Sequence, residues 1–96
     1  MRRLRVAERA GREIDDIYEY GEKHHGDGRT RRYVERLTDR LNLLKDHPFI
    51  GTERREVRPP IRLMVHEAHN VFYDVTEKEV VVQRILHHSV DWQHEL

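Results

Sequence analysis

The feature that most restricts this chain is a change of hydrophobic period near its middle. Before Pro48 the apolar residues recur at steps of three and four, as Ala7, Ala10, Ile14, Ile17 and Tyr18 and then as Tyr33, Leu37, Leu41 and Leu44. That spacing draws one stripe along an α-helix. From Pro59 onward the step is two, with Ile61, Leu63 and Val65 alternating with Arg62, Met64 and His66, as on the two faces of a strand. A chain that makes this change once builds a helical layer first and then a sheet for it to cover.

The remaining elements follow from the same reading. Arg3 to Val6 alternates and predicts a short strand ahead of the first helix. "HHGDGRT" breaks the helical pattern with two glycines and an Asp, and two helices joined by so short a loop are expected to lie antiparallel as a hairpin. After the turn-like "EAHN", "VFYDV" reads as a strand, and "TEKE" turns the chain into "VVVQRIL". Apolar residues on both faces at Val80, Val81 and Val82 mark that last strand as interior. Ser89 is a candidate N-cap for the closing "VDWQHEL", which is too short to stand alone as a helix and is expected to dock. The fold class is therefore α+β: a helical hairpin packed on a small antiparallel β-sheet, in the order β-α-α-β-β-β plus a short C-terminal tail or helix.

At 96 residues the chain suits a single domain, 1–96. A mean hydropathy of −0.92 would suit disorder, but the apolar residues are grouped periodically, which argues for a folded core. Lys and Arg number 18 against 18 Asp and Glu, so no broad positive field exists to coat nucleic acid, and direct nucleic-acid binding is not expected. Asp15, Asp16, Glu19 and Glu22 are expected to pair with Arg29, Arg31, Arg32 and Arg36 across the hairpin. There is no Cys, hence neither disulfide nor thiolate metal site, and no stretch reaches transmembrane length. The basic start lacks the apolar core of a secretory signal. These readings predict a cytoplasmic protein without membrane attachment.

In combination, "AERAGREIDDIYEYGEKHHG", "RYVERLTDRLNLLKDHPFIG", "RPPIRLMVHEAHNVFYDV" and "VVVQRILHHSVDWQHEL" resemble the ParE branch of the RelE/ParE toxins of bacterial type II toxin–antitoxin systems. The pieces occur in family order and include Pro48-x-x-Gly51. The resemblance implies the same hairpin-on-sheet architecture and a plasmid-stabilising toxin that arrests growth. It also implies a cognate ParD-like antitoxin whose N-terminal domain binds DNA and whose C-terminal segment folds onto the toxin in a hetero-oligomer. ParE-like members poison DNA gyrase by protein–protein binding, whereas RelE-like members cleave messenger RNA in the ribosome. An inactive homologue kept as an interaction module is a third reading.

Residues must choose between them. A nuclease needs cations around the scissile phosphate and a general acid or base, for which Arg62, Arg84, His87 and His88 are the candidates if adjacent strands bring them together. Against this, "RILHH" runs into "SVDWQHEL" rather than into the basic, Tyr-bearing ending of many RelE-like nucleases. The expectation is therefore a non-catalytic toxin that inhibits gyrase. A metal site shared between His66 or His69 and His87 has no standard ligand spacing, and no metal or other cofactor is expected. The double histidine is read as a hinge into a C-terminal latch carrying Val90, Trp92 and Leu96. Arg62, Met64, Arg84 and Trp92 are the candidates for contact with antitoxin or target.

Overall fold

The computed structural model describes residues 1–96. Strand β1 (Arg3–Val6) leads into helices α1 (Glu8–His25) and α2 (Asp27–Asp46), followed by β2 (Thr52–Arg54), β3 (Ile61–His66), β4 (His69–Val75) and β5 (Glu79–His87), and a 3-10 turn at Trp92–His94 closes the chain. The helical hairpin on a sheet is as the period change predicts. Two details differ. The sheet, ordered β1-β5-β4-β3-β2, has five strands, because the three residues of β2 pair with β3, too short a run to leave a periodic signal. It is also mixed rather than antiparallel, since the hairpin returns the chain so that β1 runs parallel to β5, Leu4 beside Val80 and Val6 beside Val82.

A single residue, Gly26 at φ 85°, ends α1 and begins α2. This left-handed conformation is open to glycine at little cost. The hairpin it makes is tight. A Cβ placed on Gly21 would lie 2.5 Å from Thr30 Oγ1 and 2.7 Å from its Cγ2, so Gly21 lets the helices approach. α2 ends at Asp46 with His47 as its non-helical cap, where the ring of Pro48 disfavours a helical residue before it.

The core lies between hairpin and sheet. Ala10, Leu37, Leu41 and Leu44 of the helices meet Met64, Val71, Tyr73, Val80, Val82 and Ile85 of the strands. Each such Leu or Val stabilises the fold by roughly 1.5–3 kcal/mol relative to exposure. On β3 it is Met64 and His66 that face this core, while Val65 is 59% exposed. The pairing jumps from Phe72↔Arg84 to Tyr73↔Val82. The resulting bulge at Gln83 explains how Val82 and Ile85, three residues apart, both point inward.

β1 stops at Val6, leaving the upper edge of β5 without a strand partner. Glu13 of α1 occupies that edge, where its Oε1 accepts the Ile85 N–H at 2.8 Å and its Oε2 accepts Arg84 Nη2 at 2.9 Å. Beyond His87 the chain folds back over the opposite face of the sheet. Trp92 packs on buried Phe72 with ring centroids 5.3 Å apart, and Arg84 Nη1 donates to the carbonyl of Glu95 at 2.9 Å. The tail docks through Trp92 onto a sheet face rather than an edge, and Leu96 stays 39% exposed. Ser89 caps no helix: its Oγ bonds His87 Nδ1 at 2.8 Å, and Asp91 precedes the 3-10 turn.

Candidate functional site

The nuclease candidates do not converge. β4 lies between β3 and β5, so Arg62 is not on a strand adjacent to Arg84 or His87. Arg62 also sits four residues before His66, whose row leads to His87 through His69, a separation of about 13 Å along the strand at roughly 3.3 Å per residue. Arg84 and His87, three apart on β5, project to opposite faces. Arg84 is moreover only 8% exposed and held by Glu13, which leaves it no charge to offer a phosphate. His88 continues the ladder through its N–H to Ala68 O at 2.8 Å, and its ring lies 4.4 Å from that of His87.

Two of the contact candidates are likewise occupied. Met64 is 3% exposed inside the core, so its side chain is not part of a surface. Trp92 is half-buried between Phe72 and the guanidinium of Arg54, 5.4 Å from its ring centroid. Only Arg62 keeps a charge that no carboxylate neutralises: its Nη1 donates to Gly51 O at 2.8 Å.

The strand ends near the hairpin tip gather a different set of groups. Tyr33 Oη and His69 Nδ1 share a hydrogen bond of 2.6 Å, and the His69 and His87 rings meet edge to face at 5.4 Å. Burial, reinforced by His87, His66 and His88, lowers the His69 pKa to about 4, so this imidazole is neutral near pH 7. Burial also lowers His66, against the opposing pull of Glu67, and raises Tyr33. Glu67, in the two-residue turn between β3 and β4, accepts Arg36 Nε at 2.9 Å and Nη2 at 3.1 Å. The Arg36 hydrogen bond holds its carboxyl below the ordinary value. No three His, Asp or Glu side chains converge to hold a metal ion.

Above these residues the hairpin tip overhangs the sheet and encloses an open groove of about 950 Å³. Ile17, Tyr20 and Tyr33 give it apolar walls, and Arg29 and Arg32 stand on its rim. The expected ion pairs across the hairpin do not form. Arg31 pairs with Asp27 one turn away, Arg36 reaches the sheet, and Arg29 and Arg32 have no carboxylate partner. Sequence reading missed the groove because Tyr33 looks like one more apolar residue of the α2 stripe, and only the β3–β4 pairing brings His69 to it.

At the opposite end of the sheet a loop is clamped. Tyr73, fully buried, donates its hydroxyl proton to Pro48 O at 2.7 Å and accepts the Gly51 N–H at 2.8 Å. Gly51 must be glycine here, for a Cβ would lie 2.5 Å from Tyr73 Oη and 3.0 Å from Leu63 O. The Pro48-x-x-Gly51 pattern was the sequence trace of this arrangement. Its two middle residues, Phe49 and Ile50, are 59% and 48% exposed.

Comparison with known proteins accords with this architecture. The chain is 29% identical to Toxin ParE1 of Caulobacter vibrioides over 91 residues, 95% of this chain and 94% of that protein. Its fold is similar to that of a chain from the chromosomal ParDE TA system from P. aeruginosa, with a TM-score of 0.79 at 21% identity, covering 91% of this chain and 96% of the other. The family described as the ParE toxin of the type II toxin-antitoxin system, parDE, matches residues 4–92. With nearly its whole length inside that match, the chain belongs to the ParE toxin family of type II toxin–antitoxin systems.

Proposed function

We propose that this protein arrests bacterial growth by binding DNA gyrase, without chemistry of its own, in the cytoplasm. A ParD-like antitoxin neutralises it, and its segment lies in the groove beneath the hairpin tip. The observation that carries the non-catalytic reading is the separation of these groups: Arg62 lies on β3 with β4 between it and β5, and on β5 Arg84 faces away from His87 and is neutralised by Glu13. Family membership supplies the antitoxin partner. The apolar walls of Ile17, Tyr20 and Tyr33 beneath the unpaired Arg29 and Arg32 suit an amphipathic segment with carboxylates along one side.

A second reading, ribosome-dependent mRNA cleavage, draws on the groove itself. Neutral His69 beside Tyr33 and His87, with Arg29 and Arg32 on the rim, has the group types that such chemistry uses. Its weakness is that the His69 Nδ1 is already bonded to Tyr33 and Arg36 is spent on Glu67.

The experiment is a titration of the purified toxin into gyrase acting on relaxed plasmid. Lost supercoiling, with linear DNA appearing after protease treatment, is the expected result. An active toxin that leaves gyrase untouched and cleaves mRNA on ribosomes, with the cleavage abolished by His69→Ala, would replace the first reading by the second.

A further inference from the structure

The loop at Pro48–Gly51 presents large apolar side chains to solvent from a rigid base. Exposed apolar residues on a small domain are common when scattered singly. Phe49 and Ile50 are different, because the backbone on either side of them is fixed by buried hydrogen bonds. The Tyr73 hydroxyl holds Pro48 O and Gly51 N, and Arg62 holds Gly51 O. The Phe49 ring is braced in turn by two guanidiniums, Arg62 at 4.9 Å and Arg2 at 5.5 Å from its centroid. A cation over an aromatic face is attracted to the ring and restrains it, while Phe49 stays 59% exposed.

The charges around Phe49 point to the kind of partner. Arg5, Arg31, Arg36, Arg55 and Arg84 each lie on a carboxylate. Arg2 and Arg62 instead donate to the carbonyls of Thr76 and Gly51, so both keep their charge beside an exposed aromatic on a chain whose net charge is zero. An apolar anchor with unneutralised arginines at its flanks is complementary to an apolar seat rimmed by carboxylates. Preorganisation lowers the entropy lost when such a loop binds.

We infer that the clamped loop, with Phe49 as its anchor and Ile50, Arg2 and Arg62 around it, is the surface by which the toxin grips an acidic, apolar-seated site on its protein target. This assignment rests on the proposed poisoning of gyrase for the identity of that target, and not for the role of the loop. It separates the target-binding surface from the groove beneath the hairpin tip, at the other end of the molecule.

The test compares the wild type with Phe49→Ala and Phe49→Glu in two assays, growth arrest on induction in bacteria and inhibition of gyrase supercoiling, with a thermal melt to establish folding. Truncating an aromatic anchor is expected to raise the toxin concentration needed for inhibition by about tenfold or more. Phe49→Glu, which opposes a carboxylate rim, is expected to cost more, and both variants should melt close to the wild type because the ring is largely exposed. Tyr73→Phe leaves the anchor but loosens its base, and is expected to weaken inhibition by a smaller factor. Unchanged growth arrest by folded Phe49→Ala and Phe49→Glu would overturn the inference. If the wild type arrests growth without affecting gyrase, the gyrase reading fails, while the loop assignment still stands or falls on whether Phe49→Ala relieves the arrest. A folded wild-type chain that neither arrests growth nor inhibits gyrase would overturn both.

Discussion

At the hairpin end of the sheet polar side chains meet one another, Tyr33 on His69 and Arg36 on Glu67, beneath a tip that overhangs an open groove. At the opposite end the buried Tyr73 spends its hydroxyl on the backbone of a loop and so turns Phe49 outward. The first end is concave and offers side chains at its rim. The second is convex and offers a fixed backbone with an apolar tip. Tyr33 is a helix residue and Tyr73 a strand residue, yet both use a phenol to lock a partner. What differs is the partner: an imidazole whose protonation responds to pH, or peptide groups whose hydrogen bonding does not.

The largest effect on this comparison should come from Glu13→Ala, which removes the carboxylate from the open edge of β5 and leaves buried Arg84 only the more distant Glu95 carboxylate, at 3.8 Å. Breaking a buried pair from one side costs about 3–5 kcal/mol, and partial exposure of Glu13 places the expectation at the lower end. Chemical denaturation measures it, and a loss under about 1 kcal/mol would mean that Arg84 finds water instead. The hairpin end should suffer first, since the same carboxylate joins α1 to the strand that carries His87.

Tyr73→Phe attacks the other end. It leaves Pro48 O and Gly51 N without their buried partner, for an expected cost of about 2 kcal/mol. Amide exchange at Gly51 should accelerate well beyond the global change while the hairpin tip keeps its protection. Equal acceleration everywhere would contradict a locally clamped loop.

Gly21→Ala tests the hairpin itself. The added methyl would press on the Thr30 side chain, and overpacking of this kind costs about 1–3 kcal/mol. Adding Thr30→Ala should recover part of that loss, measured by thermal melts of the single and double variants. No recovery would place the strain elsewhere.

The smallest effect is the pH response of the hairpin end. His69 has a folded pKa of about 4 against an ordinary value of 6.5, so between these values the unfolded chain binds more protons and stability falls as pH is lowered. His66, also lowered by burial, acts with the same sign, and Glu67 with its depressed value adds a loss only below the ordinary carboxylate range. Melts between pH 7 and about 5.5 therefore report the histidines. His69→Gln should flatten the slope, and an unchanged slope would remove His69 from the account.

Much of this fold is legible in the sequence because its cause is periodic. The α1 and α2 stripes, the alternation of β3 and the apolar run of β5 each repeat often enough to declare an element. β2 and the parallel pairing of β1 are not legible, since three residues carry no period and strand direction depends on where the hairpin returns the chain. The sites are harder for the same reason. Glu13 reads as one charge among many on an amphipathic helix, and nothing local says that it faces an unpaired strand edge 72 residues away. Arg62 was visible as a candidate but not as a loop support. Replacing Arg62 by Ala would therefore disturb the Pro48–Gly51 loop as well as remove a cation, so His87→Ala alone is the cleaner comparison between nuclease and poison.

The division of labour between the two ends is tested most directly by amide hydrogen exchange on the toxin alone and bound to gyrase. The account predicts gained protection at residues 47–51, centred on Phe49 and Ile50, with the hairpin tip around Gly26 unchanged. Protection confined to the hairpin tip and the strand ends at His69 and His87, or no complex with gyrase at all, would contradict it.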